Sequence, residues 1–228
     1  MKFLGMKRWG FGTEFVTHIG AIGDIHTEDV LLDIALSFLS KQHPDLIVSV
    51  GDIVTGQGNV DRCCELLRAH RVLTVAGNHD RWFVNGTIPA VPDATNPTTV
   101  SDQTKSFLKA LPQTYELRSP QGLVLICHGL GINDMADLKP EDYGYAIEAN
   151  LELQELIRSK KYRFIVNGHT HNRMVRQFGD LTIINVGTLR SYAGPGFARI
   201  DFETGHIDFF DIKTGGKIVN ADAMYLDE

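Results

Sequence analysis

The sequence predicts a mixed α/β domain, and two observations carry that prediction. Short apolar, partly β-branched runs of strand length alternate with amphipathic helical stretches early in the chain and with tight turns later. Five of these runs end abruptly in residues of metal-ligand type, and in α/β architectures ligands gather outside the carboxyl ends of strands.

Length and composition bound the rest. The 228 residues suffice for a large core, and no repeat or linker-like stretch divides them, so 1–228 reads as one domain. Hydrophobic content of 43% and charged content of 22% are ordinary for a globular chain. The net charge of −6 argues against a surface that coats long nucleic acid. Cys63, Cys64 and Cys127 form no CxxC pair and read as reduced thiols. No apolar run approaches the ~20 residues that span a bilayer. Residues Met1 to Trp9 lack the apolar centre of a secretory signal, so a cytoplasmic, membrane-free protein is expected.

In chain order, residues 1–16 are an arm of mixed character with no assigned role. Phe15 to Ile22 reads as the first strand and runs into Gly23-Asp24-Ile25-His26. If that segment stays extended, Asp24 and His26 point the same way and can reach one cation. The alternative is that Asp24 caps the next helix. Glu28 to Lys41 is an amphipathic helix carrying Leu31, Ile34, Ala35, Phe38 and Leu39, with Thr27 as the expected N-cap and Pro44 beyond its end.

Leu46 to Val50 is a buried strand ending in Gly51-Asp52, and an Asp there is ordinarily a turn residue. The Gly56-Gln57-Gly58 loop lacks the spacing and Lys of a phosphate-binding loop. A helix from Asn59 or Asp61 through Ala69 turns Cys63, Leu66 and Leu67 inward. Arg71 to Ala76 is a third strand, ending in Gly77-Asn78-His79-Asp80-Arg81. Here an amide, an imidazole, a carboxylate and a guanidinium stand together, and the Asn78 amide oxygen suits a hard or borderline cation.

Residues 82–113 show no clear strand, four prolines and one short helix near Gln103 to Ala110, and read as a wall or lid over the site. Trp82 and Phe83 could stack on a substrate, with packing beside a strand end the more common role. Tyr115–Leu117 and Leu123–Cys127 form a hairpin that ends in His128-Gly129, and loop 129–145 is a second candidate wall. Ile147 to Arg158 is a helix. The run Tyr162 to Val166 ends in Asn167-Gly168-His169-Thr170-His171, where an extended chain would project two imidazoles side by side and Gly168 allows close backbone approach. Met174–Phe178 and Leu181–Asn185 form a hairpin, and Gly196–Phe202 with Ile207–Ile212 close the chain.

The strand ends together hold Asp24 and His26, Asp52, Asn78 and His79, His128, and His169 and His171. The order Asp-x-His, Gly-Asp, Gly-Asn-His-Asp, His-Gly, Gly-His-x-His resembles the calcineurin-like metallophosphoesterase superfamily, in its compact bacterial and archaeal form, from about residue 18 to 212. The resemblance implies a four-layer αββα sandwich, two mixed sheets face to face with helices outside, and a dinuclear centre. By it, Asp24, His26, Asp52 and His171 hold one metal; Asp52, Asn78, His128 and His169 hold the other; Asp52 bridges; and His79 faces the substrate phosphate.

It implies a metal-dependent phosphoesterase that cleaves a small phosphodiester, phosphomonoester or nucleotide by in-line attack of a water shared by two cations about 3.5–4 Å apart. Mixed His, Asp and Asn ligation suits Mn, with Fe or Zn as alternatives. Asp80 is expected to orient His79 or Arg81. Arg81 and Arg190 are possible phosphate contacts, with a surface salt bridge as the alternative for each.

Three positions depart from the family pattern. Thr27 replaces a common Gly, Gly51-Asp52-Ile53-Val54-Thr55 lacks the Asp-Arg of the protein-phosphatase branch, and Asn185-Val186-Gly187-Thr188 replaces Asn-Pro-Gly-Ser. The rival reading is a non-catalytic metal-binding scaffold on the same fold. A nuclease is disfavoured by the acidic balance.

Overall fold

The computed structural model describes residues 15–225 apart from Pro89 and Pro92, so most of the expected N-terminal arm lies outside the described residues. The chain runs β1 (His18–Ile22), α1 (Asp29–Lys41), β2 (Leu46–Ser49), α2 (Val60–Ala69), β3 (Leu73–Thr74) and α3 (Asn78–Asn85). It continues with α4 (Asp102–Lys109), β4 (Thr114–Ser119), β5 (Gly122–Cys127), α5 (Tyr145–Glu148), α6 (Leu151–Ser159) and β6 (Phe164–Asn167). The hairpin β7 (Met174–Phe178) and β8 (Leu181–Asn185) follows, then β9 (Gly196–Asp201), β10 (His206–Lys213) and β11 (Lys217–Tyr225).

Two mixed sheets result, in the orders β11-β10-β9-β1-β2-β3 and β4-β5-β6-β8-β7. Strands β1, β2 and β3 are parallel in the first sheet, as are β5, β6 and β8 in the second. The period-two alternation of side chains sorts each strand between two layers. Ile19, Ala21, Val48, Val124, Ile126, Phe164, Val166, Ile184 and Ile200 face the gap between the sheets and form its core. Ile22, Ile47, Phe197, Phe210 and Ile212 turn the other way, onto α1 and α2. Leu125, Ile165 and Ile183 turn onto Leu153 of α6. These are the two mixed sheets flanked by helices that the resemblance implied.

Several local expectations are corrected. Glu28, not Thr27, precedes α1 and makes no side-chain cap. Thr27 instead sits at φ 61°, and its hydroxyl accepts from Gly58 N at 2.8 Å. The third strand pairs over Leu73–Thr74 alone, because residues 78–85 continue as α3, a helix missed behind the conspicuous polar cluster. The single helix expected over 147–158 breaks at Ala149, because the Asn150 side chain accepts from Leu153 N at 3.0 Å and caps a new helix. Strand β11 lies beyond the last expected strand and pairs with β10 along its length. Segment 82–113, expected as a wall or lid, is anchored in the core: Phe83, Val100 and Leu108 are buried beneath α1 and α2, with Ile88, Phe107 and Leu111 packed against them.

Candidate metal centre

The parallel strands of both sheets deliver their C-terminal ends to one edge of the molecule. There the chain does not run on as extended backbone. His26, Asp52, His169 and His171 have φ of 46°, 51°, 70° and 61°. This left-handed region is uncommon for residues other than Gly, and strain of this kind clusters at ligand clamps and active sites. The i, i+2 pairs therefore converge by tight turns, and the expectation that Asp24/His26 and His169/His171 project from extended segments is corrected. Two glycines make the close approach possible. A Cβ on Gly168 would stand 2.3 Å from Asp24 Oδ2, and one on Gly77 would stand 2.1 Å from Asp52 Oδ1.

All seven residues expected as ligands come together. Asp24, His26 and His171 each place a ligand atom within 4.8 Å of the other two, and so do Asp24, Asp52 and His128. His26 Nε2 is 3.1 Å from His171 Nε2 and 3.7 Å from Asp52 Oδ2. His171 Nε2 is 3.5 Å from Asp24 Oδ1. On the other side His128 Nε2 is 2.9 Å from Asn78 Oδ1 and 3.4 Å from Asp52 Oδ2. His169 Nδ1 joins this set at 3.1 Å from Asn78 Oδ1. Asp52 Oδ2 thus stands between His26 and His128.

The donor set fits cations. His26 Nδ1 donates to Thr55 O at 2.9 Å and His128 Nδ1 to Val50 O at 2.8 Å. Each ring, its Nδ1 bonded to a backbone carbonyl, turns Nε2 toward carboxylate and amide oxygens, and a cation taking the place of a proton on Nε2 would satisfy this set. Two atoms bound to one cation at about 2.1 Å each lie roughly 3–3.5 Å apart, close to the separations seen here.

The electrostatics show the same crowding. Burial, the adjacent Asp52 adding to it, pushes the Asp24 carboxyl up to about 7. Burial lowers His26 to about 3. Burial also lowers His171 to about 4, the Arg190 guanidinium assisting. Burial opposes charge on both Asp52 and His128, yet their mutual attraction wins: His128 is pushed up to about 10 and Asp52 is held well below the usual carboxylate range.

His79 lies at the mouth, its side chain 19% exposed and its Nε2 3.9 Å from Asp52 Oδ2. Trp82 meets its ring edge-on, with centroids 4.8 Å apart. Asp80 is corrected. It orients neither His79 nor Arg81: its buried carboxylate accepts from Ile53 N at 2.9 Å, Val54 N at 3.2 Å and Gly77 N at 2.9 Å. It clamps the loop behind Asp52 to the start of α3. Among the described residues, His79 Nδ1 has no hydrogen-bond partner. Arg81 pairs with Asp134 through two bonds, 2.5 and 2.8 Å, tying loop 129–145 to α3. Arg190 is not at the surface; it lies behind His26, 3.3 Å from Asp93 and bonded to the Tyr192 hydroxyl.

Two supporting residues were visible in sequence only as a variant of a family motif. Asn185 Nδ2 donates to Gly168 O at 2.5 Å, and Thr188 Oγ1 donates to Asp24 O at 2.9 Å. Asn185 ends β8 and Thr188 follows it, at a sixth strand end, and that position was the available signal.

A model of the calcineurin-like phosphoesterase superfamily domain matches residues 18–205. The chain belongs to this superfamily. Solved structures share the superfamily fold with it. One is a metallophosphoesterase from Sphaerobacter thermophilus, 21% identical, covering 87% of this chain and 89% of that one with a TM-score of 0.64. Another is YfcE, a phosphoesterase from E. coli, 15% identical, covering 92% and 100% with a TM-score of 0.54. A third is Vps29 from Entamoeba histolytica complexed with Zn2+, 14% identical, covering 92% and 99% with a TM-score of 0.53. A search of curated proteins found no match. Among the described residues, no helix of this superfamily member is long and apolar enough to cross a membrane.

Proposed function

We propose that the protein is a metal-dependent phosphoesterase, acting as a phosphodiesterase or phosphatase on a small phosphorylated substrate or nucleotide. The observation that supports this most is the convergence of Asp24, His26, Asp52, Asn78, His128, His169 and His171, acceptor to acceptor, at one edge of two sheets. Two cations held there, Mn first among Mn, Fe and Zn, would offset the phosphate charge and activate a shared water.

The chain's own groups do the rest. Asp52 offers the carboxylate shared between the two sets, and Asp24, which belongs to both triads, is the other candidate for that place. His79 N donates to Asp52 Oδ1 at 2.9 Å, so the donor ring is registered to the bridge. From Nε2, His79 gives a proton to the leaving alkoxide or a hydrogen bond to a phosphate oxygen. Burial lowers its pKa, with Asp52 opposing, and the negative charge of an arriving phosphate favours its protonated form. Arg81, held by Asp134, reaches phosphate only if that pair opens. The net charge of −6 favours small substrates over long nucleic acid.

A non-catalytic scaffold is the reading that the likeness to Vps29 raises. It leaves without a purpose the partly exposed His79 poised beside a complete ligand set. Elemental analysis decides the metal half of the proposal: two transition ions per chain in the native protein, and one or none after Asp52→Asn. Full occupancy and full phosphoesterase turnover in Asp52→Asn would remove Asp52 from the bridge.

A further inference from the structure

The two halves of the centre are backed differently. Behind His128, Nδ1 donates to Val50 O at 2.8 Å, and among the described residues no cationic side chain contacts that nitrogen. Behind His26, Thr55 O accepts from Nδ1 at 2.9 Å and from Arg190 Nη2 at 3.3 Å, and Nη2 itself stands 3.0 Å from Nδ1. A guanidinium thus lies against the far side of one ligand ring and not the other.

Arg190 is built into this place. Its side chain is only 11% exposed, and Asp93 and the Tyr192 hydroxyl hold its Nη1. Its own N–H donates to Thr188 Oγ1 at 3.0 Å, the hydroxyl that ties down the Asp24 backbone. Access does not separate the halves: each pairs a buried imidazole, His26 or His128, with a partly exposed one, His171 or His169.

Taking the site to hold two cations as proposed above, we infer that Arg190 makes the two positions unequal. Its fixed positive charge weakens the position formed by Asp24, His26, Asp52 and His171. The position formed by Asp52, Asn78, His128 and His169 carries no such penalty. Groups behind a ligating His change metal affinity through the ligand's basicity and through the local field. A cation there repels the bound metal and draws electron density from the ring, while Asp93 returns part of that charge. Arg190 is therefore a positioning and tuning residue. The position beside it is the weaker of the two and exchanges first with solution metal.

The test is a Mn2+ titration of the full-length, metal-stripped protein, with free Mn2+ read from its electron paramagnetic resonance signal. The wild type should show two dissociation constants. Arg190→Met should lower the larger by about tenfold and leave the smaller unchanged. Arg190→Lys should restore the wild-type gap. Asp93→Asn, which strips the guanidinium of its counter-charge, should widen the gap, so a poorly folding Met variant does not end the test. In a His171→Ala background Arg190→Met should have no effect. Equal constants in the wild type, or an Arg190→Met change that is absent, reversed or shared by both positions, would overturn the inference. A wild type that binds no Mn2+ would overturn the dinuclear reading itself, a result distinct from two ions bound with equal affinity.

Discussion

At the scale of single residues, the candidate ligands were legible because each is a His, Asp or Asn placed where an apolar run stops. Their geometry was not legible. Left-handed backbone at His26, Asp52, His169 and His171 leaves no mark in residue type, and the i, i+2 spacing suggested an extended chain instead. Asp80 was misread for a similar reason: adjacency to His79 and Arg81 hid three backbone donors, two of them 26 and 27 residues earlier and the third Gly77. Asp80→Ala should cost about 3 kcal/mol of stability, since it leaves buried N–H groups unsatisfied. Urea unfolding measures this, and a loss below about 0.5 kcal/mol would show that the clamp is not needed. His79→Ala should keep the metal content of the wild type and slow turnover by about 10²–10⁴-fold. Metal loss in that variant would contradict its place outside the ligand set.

At the scale of elements, strands and amphipathic helices read well because burial imposes periods of two and 3.6 on them. The hairpin β7–β8 matches its expected bounds residue for residue. Helix α3 was hidden because Asn78, Asp80 and Phe83 turn inward for three different reasons, so no apolar stripe announced it. Strand β11 was hidden because it is an edge strand with few buried side chains. The loops between elements carry the site, so an added methyl there should matter more than one in a helix. Gly168→Ala places a Cβ where Asp24 Oδ2 lies. Metal affinity should fall by at least about tenfold while the circular dichroism spectrum stays that of the wild type. Unchanged affinity would show that Asp24 is free to move.

At the scale of the whole molecule, the sandwich places two sheets so that six parallel strands end at one edge, and no single motif could show that. The same packing seals all three thiols. Burial pushes Cys64 and Cys127 up to about 12 and Cys63 higher still. None should react with a thiol reagent in the native state, and all three should react on unfolding. Cations that bind only the folded chain should raise its stability, by about 2.7 kcal/mol at a hundredfold excess over Kd. The most direct test of the account is hydrolysis of bis-p-nitrophenyl phosphate and p-nitrophenyl phosphate by metal-stripped protein, before and after Mn2+ is returned. The account predicts no turnover before and restored turnover of at least one ester after. Two ions bound per chain with neither ester cleaved, and no other small phosphate ester cleaved, would contradict it.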